Sequence, residues 1–151
     1  MSSDAQRRKK RMMWYKKVSG ACKYKILSGS AVAAAGLKNK KATKITIPKT
    51  VTYGGKSFKV ASIADKAFRK AKMKEMAVGD NVKTIGVSAF EGCRNLKTVT
   101  VKSSRLKSAG EGAFKGIHAK ASIKVPKKKL SAYRKILKGK GQGKKVRIVK
   151  M

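Results

Sequence analysis

Three segments in the middle of the chain repeat one pattern: SIADKAFRKAKMKEMAV, TIGVSAFEGCRNLKTVTV and SAGEGAFKGIHAKASIKV, each with an Ala-Phe pair at the same place. The Phe residues are Phe68, Phe90 and Phe114, so the repeat steps by 22 and then by 24 residues. A period in the twenties constrains the fold more than any other feature here. A unit that short cannot enclose its own apolar face and must stack on its neighbours. The expected fold is therefore a solenoid, with its function on an open surface rather than in a closed pocket.

The register extends beyond the Phe residues. Five residues before each stand Ile63, Ile85 and Ala109, and after each come apolar residues in alternation, Met76/Val78, Val99/Val101 and Ile123/Val125. Ile45 and Ile47 flank Thr46 in the same way. Alternation with a period of two is that of a strand with one buried face. Four stacked short strands are predicted, at 45–47, 76–78, 99–101 and 123–125, with Thr46, Ala77, Thr100 and Lys124 on the exposed face. The Ala-Phe segments between them, two of them followed by Gly92 and Gly116, read as short helical or 3₁₀ turns that seat Phe68, Phe90 and Phe114 in an inner column. Ile63, Ile85, Cys93 and Leu96 complete the predicted core.

The strings ITIPKTV, SIADKAF, VGDNVKTIGVSAFEGCRNLKTVTV and AFKGIHAKASIKVPKKKLSAYRKIL resemble the BspA-type leucine-rich repeat, found in surface and secreted proteins of gut and oral bacteria. The resemblance runs from about Tyr24 to the end. Its Ile-Gly-x-x-Ala-Phe-x-x-Cys-x-x-Leu pattern is complete once, as Ile85, Gly86, Ala89, Phe90, Cys93 and Leu96. In the first copy Ala64 replaces the Gly, Ala71 the Cys and Met73 the Leu. The third has Ala109 for the Ile and Ile117 for the Cys. Terminal repeats drift in this way because they cap the stack. The resemblance implies an α/β solenoid of right-handed turns, used for adhesion or protein binding at the bacterial cell surface, and it implies no catalysis.

Around the repeats the chain divides into residues 1–22, a basic tail read as disordered; 23–42, a capping hairpin; 43–125, the repeat array; and 126–151, a capping helix and strand. The tail carries Arg7, Arg8, Lys9, Lys10 and Arg11 followed by Trp14 and Tyr15. Such a run suits a membrane interface, a phosphate backbone, a nuclear-type address or simply a solvated start. Lys23-Tyr24-Lys25-Ile26-Leu27, Ser28-Gly29-Ser30 and Ala31-Val32-Ala33-Ala34-Ala35 predict the hairpin. A signal peptide is the rival reading, but Lys23 and Lys25 interrupt the apolar region it needs. Gly54-Gly55, between Val51/Tyr53 and Phe58/Val60, predicts a second hairpin inserted in the first repeat. After Pro126, Leu130, Tyr133 and Leu137 are spaced for one buried helical stripe that stops at Gly139. Lys127, Lys128 and Lys129 at its start oppose the helix dipole, so folding does not ask for them, and a bound anion would satisfy them.

Catalysis finds no footing. His118 is the single His and Cys22 and Cys93 the two thiols, so no metal set of convincing spacing can be assembled. The six acids are scattered, and the glycine-rich run from Gly139 to Gly143 lacks the spacing of a phosphate-binding loop. Neither cofactor nor metal is expected, and no segment is long and apolar enough for a transmembrane helix.

Charge then dominates the reading of partners. Lys and Arg number 41 against 6 Asp and Glu, a net charge of +35, which calls for screening by salt or by a polyanion. Two functions are weighed. One is a cell-surface interaction module that holds a protein or glycan ligand on the strand face and anionic cell-wall polymer on the lysine-rich flanks. The other is an intracellular, nonspecific nucleic-acid or polyanion binder, favoured by 14 Lys or Arg from Lys115 onward with no acid after Glu111. Against sequence-specific reading, Arg residues for bidentate base contacts are few. The resemblance implies a cell-surface or secreted protein. The lack of a competent signal peptide leaves a piece of a larger surface protein, or a cytoplasmic one, as the readings.

Overall fold

The computed structural model describes residues 18–151, so Arg7 to Arg11 lie outside the described residues. The expected solenoid is present, with about five turns. Two sheets form its sides. The first contains β1 (Cys22–Ser28), β2 (Ala31–Leu37), β4 (Thr50–Tyr53), β5 (Lys56–Ile63), β7 (Thr84–Ile85) and β9 (Ser108–Ala109), in the order β1-β2-β5-β7-β9 with β4 paired to β5. The second contains β3 (Lys44–Thr46), β6 (Glu75–Val78), β8 (Thr98–Val101), β10 (Ser122–Val125) and β11 (Arg147–Lys150), in the order β11-β10-β8-β6-β3 and parallel throughout.

In each repeat the alternating apolar pair builds the second sheet, and the residue five places before the Phe builds the first. Met76, Val78, Val99, Val101, Ile123 and Val125 are buried from the second sheet. Ile63, Ile85 and Ala109 are buried from the first. Between the sheets the Phe side chains stack in one column, Phe68 on Phe90 at 5.7 Å between centroids and Phe90 on Phe114 at 5.6 Å, with planes within 10° of parallel.

The segments carrying those Phe residues are turns, not helix. Ala67, Arg69 and Ala71 donate their N–H back to Ala64, Lys66 and Phe68, while Lys66, Phe68 and Lys70 donate across to Val87, Ala89 and Glu91 of the next repeat. One repeat later, Ser88, Phe90 and Gly92 donate across to Glu111, Ala113 and Lys115. Every second N–H thus points sideways, which a helix does not allow. The alternation is made by left-handed residues two places either side of each Phe: Lys66, Ser88 and Gly112 before it (φ 59, 54 and 67°), and Lys70, Gly92 and Gly116 after it (φ 58, 76 and 76°).

Each end of the stack has its own closure. The β1–β2 hairpin joins the first sheet through parallel pairing of β2 with β5. Gly54 and Gly55 turn the β4–β5 hairpin with φ of 59 and 76°, and Phe58 and Val51 are buried beneath it. At the other end Lys127–Lys129 form a single 3₁₀ turn and α1 spans Leu130–Leu137. The helix packs on β9, where a further strand of the first sheet would lie. Tyr133 and Leu137 are buried, while Leu130 is half-buried. The glycine-rich run then takes the place of a fourth Phe turn: Phe114 N–H donates to Lys140 C=O at 3.0 Å. Gln142 ties this run to the helix by donating to Leu137 C=O at 2.7 Å.

A buried polar line joins the loops that lead from the second sheet to the first. Asn81 donates to Lys49 C=O at 3.0 Å, Ser103 Oγ to Val82 C=O at 2.6 Å, and Tyr133 OH to Ser103 C=O at 2.8 Å. The same Tyr133 oxygen accepts from Leu106 N–H at 3.0 Å. Tyr133→Phe strands a buried donor and acceptor together, and a loss of about 1–3 kcal/mol is expected in urea unfolding. An unfolding midpoint equal to wild type would show that the helix docks by apolar contact alone.

Candidate interaction surface

The outward residues of the second sheet form two rows in register. Thr46, Ala77, Thr100 and Lys124 are successive partners and Val149 extends them, while Lys44, Glu75, Thr98, Ser122 and Arg147 form the row beside. Thr46 and Lys124 are exposed; Ala77 and Thr100, flanked on both sides, are half-buried. Strands about 4.8 Å apart make a five-strand row about 19 Å long. The inward residues of the same strands pack the core, so the strip is held rigid from behind. β11, which lengthens this face by one strand, was a possible last strand in sequence but had no place on the face.

The lysines before the helix sit at a corner of the coil, directly after β10. Lys127 and Lys128 are exposed and Lys129 is half-buried. Basic side chains in the last turn, Arg134 and Lys135, do suit the helix dipole. Arg134 also donates to Ile148 C=O of β11 at 3.2 Å.

The thiols are structural. Cys93 is buried in the core, donates to Phe68 C=O at 2.9 Å, and has its pKa pushed up to about 11 by burial. Cys22 is likewise raised to about 11, again chiefly by burial. His118 accepts from Lys120 N–H at 3.0 Å within its own turn. Among the described residues no group of three or more His, Cys, Asp or Glu could hold a metal ion. Iodoacetamide at pH 8 is expected to leave Cys22 and Cys93 unmodified in the folded chain and to label both after unfolding, read by intact mass. Labelling of Cys93 without unfolding would mean that the Phe column opens locally.

A stacked array of this kind, with its outward residues aligned in a strip, has the architecture of a repeat protein-interaction module. The chain belongs to the BspA type leucine rich repeat region family: the six-copy family model matches residues 32–130 and again 61–148. That family is generally a non-catalytic scaffold. Among solved structures, a leucine-rich repeat protein from Bacteroides capillosus is similar at 22% identity with a TM-score of 0.71, over 88% of this chain and 96% of that one. A leucine rich cell surface protein from Faecalibacterium prausnitzii is similar at 21% identity with a TM-score of 0.61, over 87% of this chain and 41% of that one. A leucine-rich repeat protein from Bacteroides ovatus aligns at 20% identity, TM-score 0.51, over 88% of this chain and 40% of that one. These likenesses show the fold. The chain spans about two fifths of the length of the latter two. No curated protein matches the sequence.

Proposed function

We propose that the protein is a non-catalytic adhesion module of the bacterial cell surface, holding an extended peptide or glycan chain along the outward rows of the second sheet. The observation that carries this reading is the register that aligns Thr46, Ala77, Thr100 and Lys124 in one strip. The strip is long but only two residues wide. It suits a narrow ligand better than the roughly 800 Å² footprint of a standard protein partner. The lysine-rich flanks, Lys127 to Lys129 and Arg7 to Arg11, add attraction to anionic cell-wall polymer. Surface placement is supported by the family, typically surface-associated in bacteria. Among the described residues no helix is long and apolar enough to cross a membrane.

The test is a salt-titrated pull-down on purified bacterial walls, intact or stripped of anionic polymer, beside duplex and single-stranded nucleic acid. Retention on intact walls at about 0.15 M salt, reduced on stripped walls and reduced further by Thr100→Arg, supports the reading. Retention on nucleic acid that outlasts retention on walls overturns it in favour of an intracellular polyanion binder. So does a Thr100→Arg variant that binds stripped walls as wild type does.

A further inference from the structure

A second basic surface lies at the corner where each Phe turn leads into the second sheet. Lys97 N–H donates to Lys74 C=O at 3.0 Å, His118 N–H to Leu96 C=O at 3.2 Å and Ser122 N–H to Lys97 C=O at 2.8 Å, so successive corners lie over one another. The four corners, residues 70–74, 92–97, 115–121 and 140–145, contain ten Lys or Arg and no Asp or Glu. Lys72, Arg94, Lys97, Lys120 and Lys144 are exposed. A recess of about 360 Å³ opens between the first two corners, lined by Lys70, Lys72, Arg94 and Asn95, with Ala71 and Gly92 completing it. Glu91, the acid just before the second corner, is engaged by Arg69 at 3.4 Å.

The opposite corner is also basic but not free of acid. It carries Lys83, Lys102, Arg105 and Lys107 together with Asp80, and its Arg105 donates to Asn81 Oδ1 at 3.2 Å. Within the acid-free corner no carboxylate separates the cations of coils stacked about 4.8 Å apart; Glu75 and Glu91 stand at its borders, and Glu91 is already engaged by Arg69. The strip runs about 14 Å over four corners at that spacing, long enough for a linear anion to reach every coil where a compact one would reach only the recess. Nine of the ten cations are Lys, which meets phosphate as a point charge. None of the corner residues is Phe, Tyr or Trp, and the one ring there, His118, is half-buried and accepts from Lys120 N–H, so the corner lacks a row of aromatic platforms for successive bases.

We propose that this corner is a binding site for a linear polyanion whose charges are phosphates, held through those phosphates alone. The inference rests on the anionic-polymer part of the function proposed above and assigns it a surface distinct from Lys127 to Lys129. Two triple variants that remove equal charge separate the surfaces: K72Q/R94Q/K120Q at the corner and K127Q/K128Q/K129Q beside the helix. Both are read by anisotropy with labelled long-chain inorganic polyphosphate across a salt series, after melting curves show both folded. The corner variant should bind at least about tenfold more weakly at about 0.15 M salt, with a slope against log salt flatter by about two to three, while the helix variant, whose lysines add only general attraction, loses no more than about threefold. Equal losses in the two variants overturn the proposal, because net charge alone then explains binding. Loss confined to the helix variant overturns it too, yet leaves the anionic-polymer reading standing; absence of polyphosphate binding in wild type overturns the proposal, while retention on intact against stripped walls decides the anionic-polymer reading separately. A single-stranded nucleic acid of matched charge should bind within about tenfold of polyphosphate, and much tighter binding would refute recognition by phosphate alone.

Discussion

Phe90→Ala is expected to abolish cooperative folding. Phe90 is fully buried and is the middle ring of the column, in contact with Phe68 on one side and Phe114 on the other. Truncating a buried Phe costs about 3–5 kcal/mol, and each stacked pair adds about 0.5–1.5 kcal/mol beyond its buried area. The sum is comparable with the whole stability of a domain this size, about 5–15 kcal/mol. In a stack, each unit is also supported only by its neighbours, so a central vacancy uncouples the two ends. Circular dichroism and a thermal melt read the outcome. Phe90→Leu, which fills most of the space, should keep a folded state with a lower midpoint. A Phe90→Ala variant that melts like wild type would mean that the column does not support the fold.

Gly110→Ala is expected to have the next largest effect. A Cβ at that position would stand 2.4 Å from Val87 N and 2.6 Å from Val87 Cα, both backbone atoms of the preceding coil. Gly86 is similar, with Asp65 N at 2.5 Å. Neither atom belongs to a flexible side chain that can swing away, so the coils must separate and the hydrogen bond from Gly110 N–H to Ile85 C=O, 2.8 Å, lengthens with them. Overpacking of a tight site costs about 1–3 kcal/mol, and because every atom met is backbone of the preceding coil this one stands at the upper end. Gly54→Ala is the control, since its added Cβ meets nothing within 4 Å and pays only for its left-handed φ of 59°. Equal melting midpoints for the two variants would refute close approach of the coils as the reason for the repeat's Gly.

Much of this architecture was legible before any coordinates. The spacing of Phe68, Phe90 and Phe114 implied a stack, because units of 22 and 24 residues have no other way to bury a ring each. The alternation at Met76/Val78, Val99/Val101 and Ile123/Val125 located the strands, since a period of two is a direct consequence of strand geometry. The first sheet was less legible. Its strands β7 and β9 are two residues long, Thr84–Ile85 and Ser108–Ala109, too short for any periodicity. Only Ile63, Ile85 and Ala109 at a fixed distance from the Phe residues hinted at it. The helical reading of the Phe turns failed for a related reason. Lys66, Lys70 and Ser88 adopt left-handed φ values that their side chains disfavour, imposed by hydrogen bonds to the next coil.

The candidate surfaces divide in the same way. Thr46, Ala77, Thr100 and Lys124 were legible as outward residues because each sits between two buried ones on its own strand. The acid-free corner was not, because Lys72, Arg94, Lys120 and Lys144 are scattered along the chain and come together only through stacking.

By itself the sequence determined the repeat, the apolar faces and the charge, all properties of residues within about one period of each other. Which coil backbone each N–H meets, that the helix stands where a strand would have stacked on β9, that Tyr133 ties the helix to the loop before β9, and that lysines from four repeats share one edge were decided by the tertiary structure alone. These depend on contacts between residues more than twenty positions apart, and no local pattern encodes such a contact before the coils are stacked.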